Sequence, residues 1–138
     1  MATPSKEHNY MPIDIWYARK LGKALYEYKV GGLDIKTQVA ADNDNVIDVV
    51  VAVPLLPNNI SAKLDEVSRI MHNIVPGDYK TTVNGTGSYV KHSSFADAGT
   101  TGRKLAVDFY GGNCRIGGGS PWTKDGTKAD LALNLKAR

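Results

Sequence analysis

One cysteine stands in 138 residues, so Cys114 has no intramolecular partner and a disulfide framework is excluded. A reducing cytoplasm is the compartment that fits such cysteine usage. No apolar run approaches the roughly 20 residues that span a bilayer, and residues 1–10 lack the apolar core of a signal peptide. No membrane partner is expected. His8, His72 and His92 are scattered, and no Cys/His group has zinc spacing. Cys114 as a nucleophile would need a base that the sequence does not place beside it. The run from Gly112 to Gly118 has the glycine spacing of a P-loop, but Gly118 stands where the phosphate lysine is required. Internal repeats and low-complexity tracts are missing as well.

What is present is the composition of a soluble globular protein, 42% hydrophobic and 22% charged, with length enough for one core. A net charge of +3 is too small by itself to argue for nucleic acid. Its distribution says more. Residues 1–98 carry 10 Lys/Arg against 11 Asp/Glu, whereas residues 99–138 carry 7 against 3, together with 8 of the 14 glycines. Glycine lets backbone N–H groups approach a ligand closely, and cations supply the field, so this end reads as a pocket for a polyanion. A basic surface loop is the plainer alternative.

Apolar residues of one helical face, Ile13, Trp16, Tyr17, Leu21, Ala24, Leu25 and Tyr28, follow Pro12 and stop at Gly31-Gly32. Residues 1–11 ahead of them read as a poorly ordered lead-in. Leu33 to Ala41 alternates, Asp42-Asn43-Asp44-Asn45 is turn chemistry, and Val46 to Val53 is β-branched, which predicts a hairpin. Pro54 and Pro57 end it. A second helix is expected with Ser61 as N-cap and Leu64, Val67, Ile70, Met71 and Ile74 as its stripe, closed by Pro76-Gly77. Tyr79 to Val83 and Lys104 to Tyr110 read as strands, and Thr127 opens a third helical pattern. The resulting expectation is an α+β fold in two layers, an antiparallel sheet with helices packed on one face. Two regions are expected, an α+β domain over 1–98 and part of a second α+β unit over 99–138.

The residues that carry chemistry are cations. Arg103, Lys104, Lys124 and Lys128 gather near Asp130 in sequence. Arginine offers a planar fork to phosphate oxygens and lysine a point charge. A carboxylate in such a cluster suits a divalent ion, typically magnesium. Together they suit a polyphosphate leaving group or a nucleotide.

The stretch Gly99-Thr100-Thr101-Gly102-Arg103-Lys104-Leu105-Ala106-Val107-Asp108-Phe109-Tyr110-Gly111-Gly112 resembles the G-L-T-G-R-K-I-I-V-D-T-Y-G-G signature of bacterial-type S-adenosylmethionine synthetases. Gly117-Gly118-Gly119-Ser120-Pro121-Trp122-Thr123-Lys124-Asp125-Gly126-Thr127-Lys128-Ala129-Asp130 is similar to that family's G-G-G-A-F-S-G-K-D-P-T-K-V-D. Asn84-Gly85-Thr86-Gly87-Ser88-Tyr89 is similar to N-P-T-G-R-F, Asp34-Ile35-Lys36-Thr37-Gln38-Val39 to D-A-K-S-Q-V, and Met11-Pro12-Ile13 to M-P-x-P-I.

The resemblance implies an enzyme that joins methionine sulfur to C5′ of ATP and then hydrolyses the released triphosphate. It implies Lys36, Arg103, Lys104, Lys124 and Lys128 as catalytic cations. Asp34, Lys36, Ser88, Tyr89, Asp97, Arg103, Lys104, Ser120 and Lys124 would contact ATP, with Tyr89 near the adenine. Asp97 and Lys128 would contact methionine, and Asp130 would help ligate Mg2+. A K+ ion is implied too, with its family ligand outside this chain. The sequence departs from the family where Ser88 replaces arginine, Tyr89 phenylalanine and Ile116 histidine. The match covers the middle of the family's chain. The expectation is therefore a synthetase active only when another chain supplies the missing portions, in a homo-oligomer or hetero-oligomer. The alternative is a non-catalytic synthetase-like subunit or fragment that binds nucleotide or joins a synthetase oligomer. A nucleic-acid module would use the same cations with Tyr110 and Trp122, but the family match explains them better, and no nucleic-acid partner is expected.

Overall fold

A computed structural model of the chain describes residues 5–93 together with Phe95, Ala96, Ala98, Gly99 and Lys104. The chain divides into two units, Met1–Gly99 and Thr100–Arg138. All of the described helices and strands belong to the first. The strand expected over Lys104 to Tyr110 and the helix expected from Thr127 lie outside the described residues.

The first unit runs α1 (Ile13–Glu27), β1 (Lys36–Asp42), β2 (Asn45–Ala52), α2 (Ile60–Ile74) and β3 (Lys80–Val83). Ahead of α1, Lys6–His8 form one 3-10 turn, capped by Ser5 Oγ accepting from the His8 N–H at 3.3 Å. The His8 ring lies against Trp16 and Tyr17 of α1, at 6.2 and 5.8 Å between centroids. The lead-in is thus tied to the first helix by ring packing that periodicity could not register.

Helix α1 buries Ile13, Leu21, Ala24 and Leu25, the face its spacing predicts. Helix α2 buries Val67, Ile70 and Met71, with Leu64 and Ile74 partly buried beside them. Its N-cap is Asn59 rather than Ser61, and Asn59 takes a left-handed backbone (φ 65°) that asparagine tolerates better than serine. Strands β1 and β2 pair antiparallel from Lys36↔Ala52 to Asp42↔Asn45. The register shifts between Ala40 and Ala41, where Ile47 is the extra residue of β2 and points to solvent.

The three-stranded order is β1-β2-β3, but β3 runs parallel to β2, with Asp48↔Lys80 to Val51↔Val83. The fold class is α+β as expected, while the all-antiparallel pairing is corrected to a mixed sheet. The cause is α2, a crossover that returns the chain to the end where β2 began, so the next strand must run the same way.

Leu21, Leu25, Val49, Val51, Val53, Leu55, Val67, Met71 and Val75 are fully buried and form the centre of the core. Each contributes about 1.5–3 kcal/mol of transfer free energy. Thr37, on the buried side of β1, donates Oγ1–H to the Ala18 carbonyl of α1 at 2.8 Å. That satisfies its hydroxyl where the helix rides over the sheet. The helices occupy one face of the sheet. Gln38, Ala40, Val50, Ala52 and Thr82 alternate onto the other.

This topology decides where the chemistry falls. The start of β1, the end of β2 and the end of β3 all meet at one edge of the sheet, because Lys36 pairs with Ala52 and Val83 with Val51.

Candidate functional site

At that edge the structure joins three residues from two separate stretches. Lys36 Nζ donates to Asp34 Oδ2 at 3.0 Å and lies 5.9 Å from the centroid of the Tyr89 ring. Tyr89 in turn donates its hydroxyl hydrogen to the Asp34 carbonyl at 2.7 Å. An ammonium over an aromatic face is a favourable charge–quadrupole contact. The Lys36–Asp34 pair is largely solvated, with side-chain exposures of 61% and 33%. It therefore adds little to stability, and the lysine remains accessible to an anion.

The Tyr89 phenol is held above its usual value near 10. Burial is the main cause, the Asp34 carboxylate adds to it, and Lys36 opposes it. The group therefore stays protonated at neutral pH and acts as a donor.

What places Tyr89 is the turn after β3. Asn84 sits in the left-handed region (φ 49°) and is the one buried polar side chain among the described residues. Its backbone N–H donates to the Val51 carbonyl at 2.8 Å. Its side-chain amide closes a two-way bridge to Val53, with Oδ1 accepting from Val53 N–H at 2.9 Å and Nδ2 donating to Val53 O at 3.0 Å. Gly87, at φ 107°, donates its N–H to the Asn84 carbonyl, a backbone geometry that favours glycine. One residue past Ser88, Leu55 N–H donates to the Tyr89 carbonyl at 3.0 Å. The turn is therefore fastened to the exit of β2 at both ends.

In the sequence, Asn84 before Gly85 marks only a turn. An asparagine before glycine directly after a strand is the available signal, but it reports a left-handed turn and not the far side of the amide bridge.

Of the other expected site residues, Ser88 is exposed beside Tyr89. Lys104 is exposed and belongs to the second unit. Asp97, Arg103, Ser120, Lys124, Lys128 and Asp130 lie outside the described residues. Among the described residues no three His, Cys, Asp or Glu side chains group as metal ligands. No helix among them is long and apolar enough to cross a membrane.

Residues 92–138 match the family described as S-adenosylmethionine synthetase, C-terminal domain. The S-adenosylmethionine synthase of Lacticaseibacillus casei strain BL23 is 36% identical over an alignment 149 positions long, which covers 94% of this chain and 38% of that one. The same-named protein of Streptococcus agalactiae serotype Ia is 33% identical, over 93% of this chain and 37% of its own. A solved structure described as an unusual S-adenosylmethionine synthetase from Campylobacter jejuni superposes with a TM-score of 0.75 at 32% identity. It covers 99% of this chain and 43% of the Campylobacter chain. The chain thus spans well under half the length of these relatives. Nearly its whole length is similar to one part of an S-adenosylmethionine synthetase chain, and residues 92–138 match that family's C-terminal domain.

Proposed function

We propose that this chain provides the nucleotide-gripping portion of an S-adenosylmethionine synthetase, completed by another chain. The observation that carries the reading is the Lys36–Asp34–Tyr89 cluster at the sheet edge. In the proposed reaction a methionine sulfur lone pair forms a bond to C5′ of ATP. The C5′–O bond breaks, and its electron pair leaves with the triphosphate. Water then splits the triphosphate into phosphate and diphosphate. The main demand is to hold negative charge as it develops on the leaving oxygen, which fixed cations meet best when preorganised.

Lys36 is such a cation, aimed by its contact with Asp34. Tyr89, held by its hydroxyl, offers a ring face to a base. Arg103, Lys104 and Lys124 would add phosphate contacts, with Ser88 and Ser120 beside the nucleotide. Asp97 and Lys128 would take methionine. Asp130 would help hold Mg2+, which neutralises phosphate charge when bound, and the K+ ligand would come from the completing chain. In this reading residues 1–98 and 99–138 act as two domains, in the cytoplasm.

Among the described residues, the sheet face away from α1 and α2 offers a completing chain a place to pack. Small and apolar residues, Ala40, Val50 and Ala52, share it. Asp48 Oδ1, in register with Ala40, is shielded from solvent without a hydrogen-bond partner. The test is product formation from methionine, ATP and magnesium, by this chain alone and mixed with a full-length synthetase made inactive in the corresponding portion. S-adenosylmethionine formed in the mixture supports the proposal, and none under either condition sinks it.

A second reading rests on the same Lys36–Asp34–Tyr89 cluster, which could hold a nucleotide without turnover. It is a non-catalytic subunit that binds nucleotide or joins a synthetase oligomer. Calorimetry with a non-hydrolysable ATP analogue, run beside the activity assay, separates the two readings.

A further inference from the structure

We propose that the cavity between the end of α1, the exit of β2 and the start of α2 binds a small ligand carrying one anionic group on an apolar body, an aromatic or aliphatic carboxylate in chemical class. The cavity measures about 370 Å³, a size within the range of small-molecule sites. Its floor is Val30, Pro54 and Leu55, all buried. At its mouth Leu56 and Val90 stay 72% and 40% exposed. Apolar side chains left open beside a preformed hollow mark surface for something to cover.

The charge around the cavity has one sign. Lys29, Lys63 and His92 line it, and among the described residues no Asp or Glu does. The nearby acid, Glu66, is engaged by Lys63 at 2.7 Å, which occupies one of that ammonium's three donors. Helix α2 begins at this wall without a side-chain hydrogen bond from its N-cap Asn59, and that adds partial positive charge to the cation set.

The backbone of Lys29 supplies an independent observation. Lys29 ends α1 in the left-handed region (φ 52°), donating its N–H to Tyr26 O while Val30 N–H donates to Leu25 O. Glycine is the usual occupant of such a position. Two glycines follow immediately, yet the strained place holds a lysine at the cavity mouth. Strain kept at the rim of a hollow is the kind of outlier that points to function.

The walls are fixed in advance. Gly32 N–H donates to Pro54 O at 2.9 Å, and a side chain on Gly31 would collide with that same carbonyl. The His92 ring lies directly over Gly32, with Nδ1–H donating to Val90 O at 2.9 Å. Asp34, Lys36 and Tyr89 do not line this cavity, so the inference stands apart from the nucleotide reading.

The test titrates the full chain with indole-3-acetate and with its neutral counterpart indole-3-acetamide, followed by amide and methyl NMR. The expected result is saturable shifts at Gly31, Gly32, Leu55 and Val90, with the acetate bound about tenfold more tightly than the amide. Lys29→Gly is expected to raise thermal stability by relaxing the backbone while weakening acetate binding, a pairing that a purely structural lysine would not give. Lys63→Met should weaken acetate binding as well. Equal affinity for acetate and amide, or unchanged acetate affinity in both lysine variants, overturns the charge recognition. Shifts confined to other residues, or no saturation by roughly 10 mM, overturn the site.

Discussion

Tyr89 and Asp34 are 55 residues apart in sequence and are joined by a 2.7 Å hydrogen bond from the tyrosine hydroxyl to the aspartate's backbone carbonyl. The bond locks the turn after β3 to the segment that enters β1. Removing the hydroxyl in Tyr89→Phe should cost about 1 kcal/mol of stability, as neutral hydrogen bonds typically do. It should also loosen the ring. Chemical denaturation reads the first effect, and weaker ATP-analogue binding by calorimetry reads the second.

The same phenol gives a pH prediction. Its proton is held more tightly in the native state than in the unfolded chain, since burial and Asp34 raise its value. Stability is therefore full below about pH 10 and falls as pH rises through the native value. Between roughly pH 9 and pH 11 the Tyr89→Phe protein should lose less stability than the unsubstituted chain. Tyr79 is raised in the same direction by burial, so Tyr79→Phe should flatten the alkaline slope independently.

Asn84→Ala strips both side-chain bonds from Val53 and leaves that residue's backbone groups without them. A loss of about 2–3 kcal/mol is expected, seen as a fall in Tm. Asn84→Asp keeps the shape and the acceptor but sets a carboxylate oxygen against the Val53 carbonyl, and should be as damaging. Both variants should weaken nucleotide binding through a displaced Tyr89.

Lys36→Ala separates stability from binding. The ion pair it removes is solvated, so folding should change by less than about 1 kcal/mol. Affinity for an ATP analogue should fall about tenfold or more, the usual size for a charge-assisted contact. Calorimetry beside a melting curve measures both. An unchanged affinity would remove Lys36 from the proposed site.

Gly31→Ala tests the close approach of two segments. The added Cβ would collide with the Pro54 carbonyl and crowd Val53. Overpacking against backbone typically costs about 1–3 kcal/mol, and a lowered urea midpoint should report it.

The two helices and the β1–β2 hairpin were legible because each follows a simple period. Leu21, Ala24 and Leu25 repeat on a helical face, and Val49 and Val51 alternate along a strand. The partner of β3 was not legible, since β-propensity in Lys80–Val83 marks a strand without naming its neighbour or direction. In the sequence, Asp34 and Lys36 alternate onto the polar side of an expected strand, and a role for them comes only from the family resemblance. Their link to Tyr89 depends on two turns meeting in space, which no local pattern encodes. The same holds for Asn84, whose residue type announces a turn and conceals the bridge. The roles expected of Asp97, Arg103, Ser120, Lys124, Lys128 and Asp130 rest on the resemblance.

The parallel run of β3 has a kinetic consequence. Were that strand reversed, its exit would lie at the opposite end of the sheet, about 10 Å away for four residues. The Asn84 turn could not then reach Val53. The proposed nucleotide grip therefore forms only after the long crossover through α2 has closed, a non-local step that is slow compared with hairpin formation. In a refolding experiment, recovery of nucleotide binding would serve as a clock for the docking of the final strand.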